Sequence, residues 1–283
     1  MTFSDNLRQH ARETNSIVCV GLDPVVENIP LKGDTEKKIS RFFLDMLDAM
    51  VSEKTVPAIV KPNIAFYEQY GFDGLRALKN VIDAYHRKHI PVLIDAKRGD
   101  IGKTSLAYAK NIFDFYAADA ITVAPYMGSD SVEPFIEYCK KGKGVYILAR
   151  TSNKGAIDIQ DLKVDGVPVY MKTAGKIIDW SKDSGVGAVV GATYPKELES
   201  ISKLFVSSKK EIPMLIPGVG SQGGSAKDVV DALQKTGNDL SIHRINSSSG
   251  IIYAYQKYGT DDYAGAAVKA IKELNKEIGF KSH

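Results

Sequence analysis

The chain has 283 residues, of which 44% are hydrophobic and 25% charged, and its 37 basic and 34 acidic residues leave a net charge of +3. This composition is that of a globular protein with a full core, and it excludes a disordered or fibrous chain. The charges are scattered without a long run of one sign, so we expect no nucleic-acid partner. No apolar run approaches the ~18 residues of a membrane span and no apolar signal core follows the N-terminus, so we expect a cytoplasmic protein with no membrane partner.

Short apolar or β-branched runs bounded by Gly, Pro or Asp recur along the chain and predict strands. They cover residues 16–23, 58–63, 91–97, 120–126, 144–151, 188–192, 213–218 and 241–246. Segments with helical periodicity lie between them, at residues 34–53, 75–86, 103–115, 131–140, 169–182, 196–206, 225–234 and 263–278. In the first of these segments the apolar residues share one face behind Asp34, which is a suitable N-cap.

This alternation of strands and helices predicts a (β/α)8 TIM barrel of the α/β class, a single domain over residues 1–283. An additional N-terminal helix precedes the first strand and could close the lower end of the barrel. A doubly wound open sheet is the main alternative.

The longest irregular stretch, residues 152–168, follows the fifth predicted strand. In a barrel it would lie on the catalytic face, where a loop of this length is more often a lid than a spacer. An ordered surface excursion is the alternative.

Polar residues stand where the first three predicted strands end. Asp23 closes the first strand, Lys61 and Asn63 close the second, and Asp95 and Lys97 close the third. Because side chains alternate along a strand, each pair is expected to point the same way, into the mouth of the barrel. Each residue alone could be solvated at a frayed strand end. Charges that alternate in sign across neighbouring strands favour a site, since buried charges are tolerated only when they are paired.

A glycine-rich loop, PGVGSQGG, begins at Pro217 and leads into a helix headed by Ser225. Glycines let the backbone approach an anion, and the loops after the seventh and eighth strands are the usual phosphate site of this fold. The loop therefore predicts a phosphate site, although a plain tight turn is possible.

The segment that ends the third strand reads DAKRGDIGKT, from Asp95 to Thr104. It resembles the D-x-K-x-x-D-I-x-x-T signature of the orotidine 5′-phosphate decarboxylase family. The stretches VGLDP, VKPNIAFYE, LARTSN and PGVGSQGG are similar to the bacterial branch of that family with the longer chain. The resemblance covers essentially all strands in order.

The resemblance implies decarboxylation of orotidine 5′-phosphate to UMP, the last step of de novo pyrimidine nucleotide synthesis, without a cofactor or a metal. By position it implies a catalytic network of Lys61, Asp95, Lys97 and Asp100 around the reacting carbon. It also implies a homodimer in which Asp100 and Thr104 enter the neighbouring subunit's site.

The resemblance further implies the residues that bind the substrate. Asp23 would hold a ribose hydroxyl, and Ser152 would read the edge of the pyrimidine. The loop that starts at Pro217 would bind the phosphate, with Gln222 as one of its ligands.

The chemistry of the implied reaction requires fixed charge. Loss of CO2 from C6 leaves a carbanion that cannot delocalise into the ring, and a lysine ammonium aimed at C6 can stabilise it and then donate the proton. We expect Lys97 to be this proton donor, with Asp95 and Asp100 holding Lys97 and Lys61 in their charged forms.

One position departs from the family pattern. The family has an arginine that grips the phosphate after the eighth strand, within S-R-G-I, whereas this chain has Ser249 at that place. A serine cannot supply a bidentate charged pair, so phosphate binding is expected to be impaired. Arg244 is the nearest arginine in the sequence, but it lies inside the predicted strand and is a poor substitute.

Two other functions stay open at this point. Barrels of the same superfamily use a D-x-K-x-x-D motif for magnesium-dependent chemistry on sugar phosphates, although they lack the KPN and RTSN stretches. A non-catalytic nucleotide-binding protein is the other alternative, with Ser249 as the sign of a lost phosphate grip.

Overall fold

The computed structural model describes residues 1–182, 184–220 and 223–282. The strands are β1 Val18–Gly21, β2 Ile59–Lys61, β3 Leu93–Arg98, β4 Ala120–Val123, β5 Gly144–Arg150, β6 Lys163–Val164, β7 Val167–Pro168, β8 Val186–Val190, β9 Met214–Pro217 and β10 Arg244–Ser247. The helices are α1 Phe3–Thr14, α2 Thr35–Ser52, α3 Ala65–Glu68, α4 Gly71–Arg87, α5 Gly102–Lys110, α6 Ser129–Ile136, α7 Val169–Trp180, α8 Pro195–Ser207, α9 Ala226–Lys235, α10 Ser249–Ile252, α11 Ala254–Tyr258 and α12 Tyr263–Ile278.

Eight of the strands form one parallel sheet in the order β2-β1-β10-β9-β8-β5-β4-β3. The two ends of this order meet, because parallel bridges pair Val60 with Val92 and Asn63 with Asp95. The backbone N–H of Asp95 donates to the carbonyl of Pro62 at 2.9 Å across this seam. The sheet is therefore closed into the predicted (β/α)8 barrel, and the doubly wound alternative was wrong.

The predicted helices are confirmed. In α2 the side chain of Asp34 accepts a hydrogen bond from the backbone N–H of Lys37, which satisfies a free donor of the first turn. The apolar face of α2 is buried against the barrel wall. A π-helical turn, Asn111–Phe115, continues α5 up to the predicted end.

The N-terminal helix α1 closes the lower end of the barrel, as predicted. Phe3 and Leu7 join a cluster of inward-facing side chains inside the barrel, and the Phe3 ring meets the Tyr146 ring edge-on at 6.0 Å between centroids. Gly144 makes this possible, since a Cβ at that position would lie 2.3 Å from the Phe3 ring. The buried guanidinium of Arg244 donates to the carbonyl of Leu7 at 2.6 Å.

The stretch 152–168 is more regular than the sequence indicates, and its role as a lid stays a prediction. It contains a short 3-10 helix, Lys154–Asp158, and a hairpin made of β6 and β7. Asp165 and Gly166 form its two-residue turn with φ of 53° and 75°, a left-handed pair that suits a tight hairpin. Each strand of this hairpin has only two residues, so the alternation of side chains that marks a strand cannot be recognised in the sequence.

Within the described residues, no helix combines the length and the apolar character that a membrane crossing requires.

Candidate active site

A cavity of about 650 Å³ opens at the carboxyl ends of the barrel strands. It is lined by most of the residues that the sequence predicted for a site: Asp23, Lys61, Asp95, Lys97, Ser152, Pro217 and Ser249. Asp100 and Thr104 do not line it, and Gln222 lies outside the described residues. The barrel thus brings seven predicted site residues to one mouth.

Lys61, Asp95 and Lys97 form a continuous chain of charges in this cavity. Lys61 Nζ lies 3.3 Å from Asp95 Oδ2, and Lys97 Nζ lies 2.7 Å from Asp95 Oδ1. Lys61 is 4% exposed and Asp95 8% exposed, so their charges persist only because they are paired. Lys97 is half exposed and directs its ammonium toward the open cavity.

The pairing shifts the pKa values of both buried members. Burial alone would lower the pKa of Lys61, but the carboxylates of Asp23 and Asp95 outweigh it and raise that pKa above the ordinary value for a lysine. Burial alone would raise the pKa of Asp95, but Lys61 and Lys97 hold it well below the usual range of a carboxyl. The buried Lys61–Asp95 pair is therefore held as an ammonium and a carboxylate.

Lys97 reaches Asp95 in a way that strand alternation did not predict. Its φ is +45°, in the left-handed region, and the pairing of β3 with β4 shifts register between Ile94 and Arg98. The two side chains are therefore brought together by an irregular strand end, which re-aims a side chain as bulges do. Such a strained residue is typical of a functional site.

Thr122 of β4 holds this strand end in place, and sequence reasoning missed it. Its hydroxyl donates to Asp95 Oδ1 at 2.7 Å and accepts the backbone N–H groups of Ala96 and Lys97 at 3.1 and 3.0 Å. One polar residue inside the apolar run AITV was the only signal in the sequence. Thr122 fixes both the carboxylate and the left-handed backbone beside it.

Asp23 and Ser152 stand on opposite sides of the cavity. Asp23 Oδ1 accepts the backbone N–H of Asn63 at 3.1 Å, which leaves the rest of its carboxylate for a ligand. The carbonyl of Ser152 accepts the hydroxyl of Thr193 at 3.2 Å. Within the described part of the chain the Ser152 hydroxyl has no protein partner, although the residue lines the cavity.

The remaining end of the cavity lies beside the loops after β9 and β10. Gly218 and Gly220 have φ of 101° and 83°, a backbone conformation that residues other than glycine rarely adopt. Ser249 is exposed and begins α10 there. Arg244 is fully buried at the opposite end of the barrel, where it donates to backbone carbonyls, so it cannot replace an arginine at position 249.

Asp100 and Thr104 lie outside the cavity, at the start of α5. Asp100 Oδ1 accepts the backbone N–H of Ile101 at 2.7 Å, and Thr104 is exposed. Exposed apolar side chains stand on the same helix and after the neighbouring strand β4: Ile101, Leu106, Phe115, Tyr126 and Met127.

No group of three or more His, Cys, Asp or Glu side chains in residues 1–182, 184–220 and 223–282 is arranged to hold a metal ion.

Fold and site together define a (β/α)8-barrel enzyme with a lysine–aspartate–lysine chain at the carboxyl ends of its strands. Residues 16–277 match the model of the orotidine 5′-phosphate decarboxylase / HUMPS family. The chain belongs to this family.

Individual relatives agree with this assignment. An orotidine 5′-phosphate decarboxylase of Halorubrum lacusprofundi is 40% identical over 98% of this chain and 99% of its own length. The structure of Leishmania donovani OMP decarboxylase is 34% identical, covers 99% of both chains and superposes with a TM-score of 0.78. The structure of Leishmania donovani UMP synthase is 36% identical with a TM-score of 0.80, and this chain spans 58% of its length.

Proposed function

We propose that this protein decarboxylates orotidine 5′-phosphate to UMP in the cytoplasm, as the last step of de novo pyrimidine nucleotide synthesis. The observation that carries the proposal is the buried Lys61–Asp95–Lys97 chain at the barrel mouth. A binding protein for a nucleotide would gain nothing from two ammonium groups held against one buried carboxylate, because burying charge costs free energy.

Lys97 supplies the electrostatic stabilisation and the proton in this mechanism. Departure of CO2 leaves an electron pair on C6, and a fixed ammonium placed there lowers the energy of the developing charge without reorganisation. The same ammonium then transfers a proton to C6, which forms the C–H bond of UMP. Lys97 suits this role because its Nζ is held at 2.7 Å from Asp95 yet faces open space.

Asp95 and Lys61 keep Lys97 in position. Asp95 accepts from both lysines, and Thr122 fixes the orientation of its carboxylate. The substrate carboxylate would enter close to Asp95, and this repulsion would be relieved when CO2 leaves. Lys61 balances Asp95 from the buried side and keeps its pKa low.

The other predicted residues bind the remote parts of the nucleotide. Asp23 holds a ribose hydroxyl, and Ser152 hydrogen-bonds the pyrimidine edge. The loop from Pro217, with Gln222, and the backbone around Ser249 receive the phosphate. Binding energy gained there supports catalysis at C6, so removal of the phosphate is expected to lower kcat as well as to weaken binding.

The active unit in this proposal is a homodimer of single-domain barrels. Asp100 and Thr104 stand outside their own cavity, beside a group of exposed apolar side chains that includes Ile101 and Tyr126. A second copy covering this group would bury apolar area and carry Asp100 and Thr104 to the neighbouring site.

The direct test follows the ultraviolet absorbance of orotidine 5′-phosphate mixed with the purified protein, with and without EDTA. The proposal expects loss of substrate absorbance, formation of UMP and no effect of the chelator. A parallel reaction contains phosphorylated ketohexose or keto-acid sugars with magnesium. Turnover only in that reaction, abolished by EDTA, would overturn the decarboxylase assignment in favour of metal-dependent sugar-phosphate chemistry.

A further inference from the structure

Gln160, in the middle of the stretch 152–168, bridges this stretch to the end of β5 with its side chain. Gln160 Oε1 accepts the backbone N–H of Thr151 at 2.9 Å, and Gln160 Nε2 donates to Thr151 Oγ1 at 2.7 Å. The Gln160 amide therefore hydrogen-bonds both the backbone and the side chain of Thr151. Thr151 directly precedes Ser152.

A buried arginine supports the same amide. Arg150 is 0% exposed, and its guanidinium donates to Gln160 Oε1 at 3.4 Å and to the Asp161 carboxylate at 3.3 Å. The guanidinium also lies 4.0 Å from the centre of the Tyr194 ring, in cation–π contact. Oε1 thus receives two donors, which fixes the orientation of the Gln160 amide.

The backbone of Gln160 is held as firmly as its side chain. Its N–H donates to the carbonyl of Ala156 at 2.8 Å, and its carbonyl accepts the N–H of Tyr170, in the first turn of α7, at 2.9 Å. The backbone that carries the amide is therefore tied to the first turn of α7.

The contact determines where Ser152 lies. On one side Thr151 is held by Gln160; on the other, Ser152 packs against Gly191, where a Cβ would come within 2.8 Å of Ser152 Cα. Thr193 binds the Ser152 carbonyl. The backbone is fixed on both sides, while the hydroxyl has no partner in the described residues and the residue lines the cavity.

We propose that Gln160 is a positioning residue for pyrimidine recognition, which acts through Thr151 to hold the Ser152 hydroxyl where the base binds. This inference rests on the proposed function. Gln160 itself does not line the cavity, so any effect of its substitution on catalysis passes through the loop it holds.

The test is a double-mutant cycle of Gln160→Met with Ser152→Ala. Methionine matches the length of glutamine but removes both hydrogen-bonding groups. Gln160→Met is expected to lower kcat/KM roughly tenfold in the parent and less than about threefold in the Ser152→Ala background, because the hydroxyl to be positioned is then absent. Lys163→Met, at an exposed position of the same stretch, is the matched control and is expected to leave kcat/KM unchanged.

A merely structural role gives a different result. Equal losses in both backgrounds, or an unchanged kcat/KM in Gln160→Met, would overturn the inference. If Gln160→Met does not fold, Gln160→Glu replaces it. This variant keeps the acceptor for Thr151 and Arg150 but loses the donor to Thr151 Oγ1. Its effect on kcat/KM is again compared between the parent and Ser152→Ala. The same cycle can be measured without turnover, from the calorimetric affinity of UMP for the parent, the two single variants and the double variant. If the parent is inactive but UMP binding still shows coupling between Gln160→Met and Ser152→Ala, the decarboxylase function is wrong and the role of Gln160 stands.

Discussion

At the scale of residues, Thr122 orients the Asp95 carboxylate, which in turn accepts hydrogen bonds from Lys61 and Lys97. Lys61, Asp95 and Lys97 stand at strand ends, where the barrel fold requires them to converge. Thr122 and Gln160 act through hydrogen bonds to residues 27 and 9 positions away in the chain. A threonine within a strand and a glutamine within a loop have no local pattern that reveals such contacts.

Ser249 gives a prediction at this scale. Ser249→Arg places a bidentate cation beside the proposed phosphate subsite, and a charged hydrogen bond is worth about 1.5–3 kcal/mol. We expect kcat/KM for orotidine 5′-phosphate to rise roughly ten- to a hundredfold in steady-state assays. Gln256→Arg adds the same charge at an exposed position nearby and is the control. An equal gain in both variants would show that net charge, rather than a grip at position 249, limits binding.

At the scale of elements, the strands and long helices follow from local periodicity, whereas the hairpin β6–β7 does not. The hairpin has only two residues in each strand, and the backbone N–H of Val169, at the start of α7, donates to the carbonyl of Leu162 just before it. The helix α1 is a different case. It precedes residues 16–277, which match the family, yet its apolar side chains enter the barrel.

Phe3→Ala tests whether α1 belongs to the core. The substitution removes a buried aromatic side chain from the barrel interior, and the free energy of unfolding is expected to fall by about 3–5 kcal/mol. Urea titration followed by circular dichroism measures the change. Gln9→Ala, on the exposed face of the same helix, should stay within about 0.5 kcal/mol of the parent. Similar stability of Phe3→Ala and the parent would mean that α1 is not part of the cooperative unit.

At the scale of the whole molecule, the closed barrel was predictable because eight strand–helix units leave few other topologies. The quaternary structure was predicted only through the family resemblance. In the structure, Asp100 lies outside the cavity that holds Asp95 and Lys97, although all three belong to one short motif. Under the proposed function, a site that contains all four charged residues therefore requires a second copy.

Subunit mixing tests this shared site. Lys97→Ala and Asp100→Ala homodimers are expected to be nearly inactive, but equal mixtures after subunit exchange should recover up to about a quarter of the parent activity. Recovery occurs because half of the dimers are mixed, and each of these has one site with both residues intact. Lys97→Ala mixed with Asp95→Ala is the control and should recover nothing, since those residues belong to the same cavity. An inactive first mixture would place Asp100 in the site of its own chain.

The most direct measurement of the central claim is UMP formation from orotidine 5′-phosphate by the parent and by Lys97→Ala, with enzyme in excess over substrate. We expect chelator-insensitive UMP formation by the parent and a rate at least about 10⁴-fold lower in Lys97→Ala, because both the electrostatic stabilisation and the proton donor are lost. Lys203→Ala, on the surface of α8, serves as the control and should react at the parent rate. Substantial UMP formation by a folded Lys97→Ala variant would show that Lys97 is not the proton donor.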